Sequence, residues 1–276
     1  MKRLLTLLAL CAATLVIQPT IAQTIDNTKP LPAKGARKAH KGWRLVWADE
    51  FNGKKVDESS WTRCPENKPD WAFHMSPLDS LCRVRGGVLE LHAVKRPEGY
   101  DDKRPYLTGG VWSKGKRSIQ LGRIDVRARL DCAQGFWPAI WIMPDGNIGW
   151  PNGGEIDIME HLNFEDKLYQ TVHSPHTLSK KEPKSQSSFV TKIDPKVFNI
   201  YSVVINQDSI EFYLNNVKTA TYERMTPAVA EQFPYADYPF YVILSAQLGG
   251  EWVGRIEPED LPVQMDIDYV RFYERK

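Results

Sequence analysis

The sequence predicts an all-β chain, a sandwich or jelly roll. Three observations carry that expectation. Segments of alternating apolar and polar residues recur from Trp43 to the C-terminus, short turn signals separate them, and helical character is confined to two brief stretches. A length of 276 residues suits one large β-domain as well as two small ones. The uniform patterning over residues 43–276 favours one.

The first 22 residues stand apart. Lys2 and Arg3 precede an apolar run from Leu4 to Ile17, and Thr20 and Ala22 supply small residues before a cut. This reads as a signal peptide, and it implies a secreted or periplasmic protein. Cys11 follows the bulky Leu10, which argues against a lipid anchor. Residues 23–42 are rich in Lys, Pro and Ala without periodicity and read as a flexible lead-in. Strands are then expected at Val88–Val94, Ile119–Leu121 and Ile124–Leu130. Tyr201–Ile205, Ile210–Leu214 and Val217–Tyr222 form a meander that turns at Asn215-Asn216, and further strands fall at Tyr241–Ala246 and Ile267–Tyr273. Brief helices are expected near Pro195–Phe198 and Pro227–Phe233.

Charge and cysteine usage narrow the function classes. The chain holds 36 basic and 34 acidic residues, and loss of the leader removes only Lys2 and Arg3, so the mature chain is formally neutral. A nucleic-acid partner would need a basic face. After the leader no apolar run is long enough to span a membrane. Cys64 and Cys82 flank one polar loop, and in an exported protein they are the pair the sequence suggests for a disulfide, worth on the order of 3 kcal/mol. Cys132 is left over as a small core residue.

The informative segment is Gly153-Gly154-Glu155-Ile156-Asp157-Ile158-Met159-Glu160. Strand alternation puts Glu155 and Asp157 on one face and the isoleucines on the other. Strict alternation would send Glu160 among the isoleucines; a β-bulge of one extra residue returns it to the acid face. A row of three carboxyls is costly as mere structure, because neighbouring carboxylates repel and burial favours protonation. It makes sense where Glu155 must be ionised while Glu160 is protonated, the pairing a retaining glycosidase needs. Trp137 and Trp141, four apart, share one face of the preceding strand and offer flat platforms for sugar rings.

The bulged Glu155-Ile156-Asp157-Ile158-Met159-Glu160 run resembles the E-x-D-x-x-E motif of glycoside hydrolase family 16. Gly135-Phe136-Trp137-Pro138-Ala139-Ile140-Trp141-Ile142-Met143-Pro144, Asp49-Glu50-Phe51 and Asp266-Ile267-Asp268-Tyr269-Val270-Arg271 are similar to family segments, in order, over residues 43–274. The resemblance implies a β-jelly-roll sandwich with a substrate cleft on the concave sheet, with Glu155 as nucleophile, Glu160 as acid/base and Asp157 as their electrostatic support. It also implies His173 near the acid/base and Trp252, in a Gly-rich loop, at the cleft border. No cofactor is implied for catalysis. A structural calcium away from the cleft is implied, with Glu50 and Asp268 in the segments that contribute to it.

The chain departs from the family's glucanase pattern at Asp70-Trp71-Ala72-Phe73-His74-Met75-Ser76 and at Thr108-Gly109-Gly110-Val111-Trp112. Trp71 and Trp112 are candidate stacking residues, and His74 and Asp70 candidate hydrogen-bonding groups for sugar hydroxyls. The form is more similar to the branch of endo-β-galactosidases that act on host glycans. The resulting expectation is a monomeric, retaining, endo-acting β-glycosidase. Its lead substrates are β-galactoside-containing glycans of mucin or keratan type. Endo-β-1,3- or mixed-linkage glucan is the first alternative, transglycosylation a variant, and a non-catalytic carbohydrate-binding jelly roll a rival of another class.

Overall fold

The computed structural model describes residues 26–31, 40–179, 182 and 184–276. The leader expected at 1–22 lies outside them. Among the described residues two antiparallel sheets form a jelly roll. The back sheet has nine strands. Its order is Val217–Glu223, Ser209–Leu214, Asn199–Ile205, Gly122–Leu130, Val263–Arg275, Val88–Lys95, Cys82–Arg85, with Trp43–Asp49 added on Val263–Arg275 and Tyr106–Thr108 on Val88–Lys95. The front sheet has eight. Its order is Ser188–Lys192, Lys167–His173, Glu155–Glu160, Phe136–Pro144, Phe240–Leu248, Gly110–Trp112, Thr62–Arg63, with Ser118–Ile119 paired to Phe240–Leu248. No described helix is long and apolar enough to cross a membrane.

Alternation decides which faces meet. Ile140, Ile142, Ile156, Ile158, Val242 and Leu244 of the front sheet pack against Ile124, Val126, Val203, Phe212, Val270 and Phe272 of the back sheet in one core. Each such burial is worth about 1.5–3 kcal/mol, which pins the register, since a slip of one residue would exchange isoleucines for carboxyls. The opposite face of the front sheet carries a second apolar cluster of Ala139, Trp141, Tyr241 and Ile243, with Ala72, Met75 and Cys64 over it.

The outer face of the back sheet is crossed by ion pairs. Arg123 binds Asp125 at 2.6 Å, Arg127 binds Asp268 at 2.7 Å, Arg129 binds Asp266 at 2.6 Å and Arg271 binds both oxygens of Glu50 at 2.8 Å. Two of these pairs engage the carboxylates named in the calcium expectation. Both Asp268 oxygens also accept from the Leu31 N–H, at 3.2 and 3.3 Å. Guanidinium groups and a backbone donor therefore engage the carboxylates that a Ca²⁺ ion, wanting six to eight oxygens, would need. Glu50 and Asp268 do not fit a calcium site.

Three further expectations change. Part of the lead-in read as flexible is a strap: Phe198 N–H donates to Asn27 O at 2.7 Å, Arg127 reaches Lys29 O, and His40 sits 2.6 Å from Asp125. Pro195–Phe198 and Pro227–Phe233 are turns. The Asn199 amide takes the carbonyls of Asp194 and Val197, and Gln232 bonds Glu223 O and Met225 N while Glu231 adopts φ 62°. Side chains thus bind backbone groups locally in and beside these turns. Short helices form instead at Asp70–Phe73 and Pro175–Leu178. Finally, Cys64 and Cys82 are separate, buried thiols, so the expected disulfide is absent. Cys82 Sγ donates to Gly110 O at 3.7 Å. The residues between the two cysteines are tied down by other means, among them Arg104, which donates to Phe73 O and Met75 O.

Candidate active site

The site grows from one irregularity. Asp157 pairs with Trp141 on one neighbouring strand and with Thr171 on the other; the next pairs are Met159 with Ile140 and Glu160 with Tyr169, so the register shifts between Asp157 and Glu160 on both sides. Ile158 and Met159 both enter the core, and Glu160 returns to the face of Glu155 and Asp157. The bulge expected from the sequence is present. It costs a local break in the ladder and gains a continuous row of acids.

The row lines a cavity of about 380 Å³ with Pro69, Trp71, Trp137, Ala139, Trp141, Met143, Trp150, Tyr241, Ile243 and Gln247. Indole N–H groups address both glutamates. Trp150 donates to Glu155 Oε2 at 2.6 Å, and Trp137 donates to Glu160 Oε1 at 3.0 Å. His173 Nε2 lies 3.2 Å from Asp157 Oδ2. Trp141 donates instead to Ser245 Oγ at 3.1 Å, which fixes its ring as a wall.

Burial dominates the protonation of the row. It raises Glu155, helped by the Asp157 carboxyl and opposed by His173 and the Trp150 N–H, up to about 8. It raises Asp157 to about 7, eased by hydrogen bonding from Glu155. Glu160 is raised well above the usual carboxyl range by burial first and Asp157 second, against the pull of the Trp137 N–H. No Lys or Arg lines the cavity. The row therefore carries less charge than its three carboxyls would in water. Burial thus favours the protonated form of all three carboxyls, Glu160 among them, and ties the titration of Glu155 to that of Asp157.

The sequence-derived candidates separate into three groups. Glu155, Asp157, Glu160, Trp137, Trp141 and Trp71 line the cavity, and His173 adjoins it through Asp157. Trp252 extends the aromatic surface, its exposed ring edge-on to Trp137 and Tyr169 at 5.4 Å. Trp112 lies on the same face, edge-on to Tyr241, but outside the cavity lining. His74 is the correction: it is buried among Phe73 and Tyr106, its Nδ1 3.1 Å from Tyr106 O. Burial lowers its pKa, which favours the neutral ring, and its contacts are those of a packing residue. Asp70 likewise accepts from Glu251 N–H at 2.8 Å and clasps the Trp252 loop to the Trp71 turn. Sequence reasoning missed Trp150, Met143, Tyr241 and Gln247. The parity of Phe240–Leu248 would have placed Tyr241 and Gln247, and Trp150 stands in a Gly-rich loop five residues before Glu155.

Comparison with known proteins agrees with this geometry. A family profile described as Glycosyl hydrolases family 16 matches residues 79–271. A keratan-sulfate endo-1,4-beta-galactosidase of Sphingobacterium multivorum is 34% identical over 92% of this chain, which spans 60% of that relative's length. A beta-glucanase of Rhodothermus marinus is 33% identical, with 84% of this chain and 85% of the relative covered. A solved structure connected with endo-acting O-glycanases that initiate mucin breakdown, from prominent members of the human gut microbiota, superposes with a TM-score of 0.75. It is 30% identical and covers 84% of this chain and 100% of its own. The match over most of the chain, together with the bulged acid strand in a jelly-roll cleft, makes this chain a member of the glycosyl hydrolases family 16.

Proposed function

We propose that the chain is a retaining endo-β-glycosidase acting on β-galactoside-containing glycans of mucin or keratan type. The observation that carries the chemistry is the bulged row, with an indole N–H on each glutamate. Glu155, once its proton has passed to Asp157 or solvent, attacks the anomeric carbon. Glu160 gives its proton to the departing glycosidic oxygen. The resulting glycosyl ester of Glu155 is then hydrolysed by a water whose proton returns to Glu160. Asp157 supports Glu155 by accepting its hydrogen bond and keeps contact with His173.

For the substrate, support comes from the 34% identity to the keratan-sulfate endo-1,4-beta-galactosidase and from the O-glycanase structure. The cavity wall of Trp71, Met143, Tyr241 and Ile243 adds an apolar surface for sugar faces. The 33% identity to a beta-glucanase favours a second reading, an endo-β-1,3- or mixed-linkage glucanase. The leader read in residues 1–22 supports export, which N-terminal sequencing of the mature protein checks.

The test is digestion of a panel of laminarin, mixed-linkage glucan, keratan and mucin glycans with product masses, beside an early NMR time course of the new anomeric centre. Internal cleavage after galactose with retained configuration is expected. Faster turnover of laminarin makes the glucanase reading the correct one, and an inverted product removes Glu155 as nucleophile. Glu155→Gln should lower kcat by at least about a thousandfold, ~4 kcal/mol of barrier. Activity near wild type in this variant would leave carbohydrate binding alone as the role of the row.

A further inference from the structure

The acid row stands apart in how it is compensated. Buried carboxylates on the back sheet meet guanidinium groups: Asp125 with Arg123, Asp266 with Arg129, Asp268 with Arg127, Glu90 with Arg83 and Arg85. The acid row has no such partner in its cavity. Glu155, Asp157 and His173 each present one donor atom, and the three lie within 4.8 Å of one another. Asp157 is 3% exposed, and its buried Oδ2 makes no hydrogen bond. That oxygen faces His173 Nε2 at 3.2 Å.

This donor set has a chemical character. Ligands at 2.0–2.2 Å around a tetrahedral ion are separated by about 3.3–3.6 Å, so the Asp157–His173 spacing is already that of a tetrahedral edge. Glu155 must close by roughly 1 Å to complete a three-ligand face, within reach of a side chain with three rotatable bonds. One imidazole with two carboxylates suits Zn²⁺ and neighbouring late first-row ions. Hydrolytic zinc centres likewise hold the ion with three such nitrogen and oxygen ligands, commonly two imidazoles and a carboxylate, and leave a fourth position to water. Ca²⁺ wants six to eight oxygens and Mg²⁺ an octahedron of them, and neither is offered.

We propose that Glu155, Asp157 and His173 form an inhibitory site for Zn²⁺-class divalent cations, occupied in competition with the glycan. A cation there withdraws the nucleophile, because the same Glu155 oxygens serve both. It also sits where the reacting sugar ring must lie. The inference builds on the glycosidase reading of the cleft, but its first readout requires no substrate.

Isothermal titration of the whole protein with ZnCl2, with CaCl2 as the comparison ion, measures the site directly. One zinc per chain, no calcium heat, and at least about tenfold weaker zinc binding in His173→Ala and in Asp157→Asn are expected; even an outer-shell partner is worth about 10–100-fold in affinity. Circular dichroism checks that both variants keep the fold. In steady-state assays on the substrate found by the glycan panel, zinc should raise KM with kcat unchanged, and EDTA should restore the original rate. Zinc affinity unaltered in both variants overturns the proposal, as does inhibition that added substrate does not relieve. A chain that binds zinc through these residues yet cleaves no glycan would sink the glycosidase reading while leaving the metal site standing.

Discussion

At Glu155, the indole N–H of Trp150 is the one donor set against strong desolvation; at Glu160, Trp137 plays that part. Each N–H stabilises the charged form, so its loss raises the pKa of its own glutamate. The rate should be bell-shaped in pH, its acid limb reporting ionisation within the Glu155–Asp157 pair and its alkaline limb the deprotonation of Glu160. Trp150→Phe keeps an aromatic face and should move the acid limb of kcat/KM up by about one pH unit, the equivalent of ~1.4 kcal/mol of lost charge stabilisation. Trp137→Phe should move the alkaline limb up instead. The same limb moving in both variants would contradict the assignment of one indole to each glutamate. The shared face of Glu155, Asp157 and Glu160 was legible because carboxyl spacing is printed in the chain. Trp150 was not, because its contact depends on how the loop before the acid strand folds back. His74 misled for the same reason: a polar side chain in a departing segment can turn inward and satisfy itself on a backbone carbonyl, as this one does on Tyr106.

Between elements, the contact of greatest consequence joins the Asp70–Phe73 turn to the Gly249–Gly254 loop. Asp70 accepts from Glu251 N–H, and a Cβ on Gly250 would meet Asp70 Oδ2 at 2.7 Å, so the two segments touch with no room between them. Each presents a tryptophan, Trp71 and Trp252. Asp70→Ala removes a charge-assisted bond worth about 1.5–3 kcal/mol and frees both loops. KM should rise about three- to tenfold while kcat stays within about twofold, because sugar binding suffers and the acid row does not. A fall in kcat without a rise in KM would place the clasp on the wrong side of the chemistry. Strand existence was legible from alternation, and so was the bulge, because only an extra residue reconciles the isoleucines with Glu160. The two helical expectations failed where Asn199 and Gln232 bind backbone groups locally, a contact that sequence periodicity does not record.

Over the whole molecule, function is carried at a cost to stability. The folded chain holds Glu155 up to about 8 against an ordinary value of 4.5, so the folded state binds this proton more tightly than the unfolded state does. Its penalty is absent below pH 4.5 and grows as pH rises toward 8, where the unfolded chain gains by ionising. Glu155→Gln should therefore raise Tm by about 2–4 °C at pH 8, the effect of ~1 kcal/mol in a domain of this size, and by little at pH 4. Calorimetry across that range checks it; an equal gain at both ends would mean that packing, not charge, is responsible. The all-β class was legible from strand patterning, whereas the guanidinium network on the back sheet was not, since pairs such as Glu50 with Arg271 join residues far apart in the chain. The unjoined thiols have a consequence of another kind. Cys64 lies in the apolar cluster that borders the cleft and Cys82 in the main core, and burial raises both thiol pKa values, Cys82 to about 12. An alkylating reagent meets their sulfurs only when the surrounding strands part. The chain thus carries two built-in clocks: labelling of Cys64 times the breathing of the cleft border, labelling of Cys82 that of the core, and a glycan seated in the cleft should slow the first more than the second.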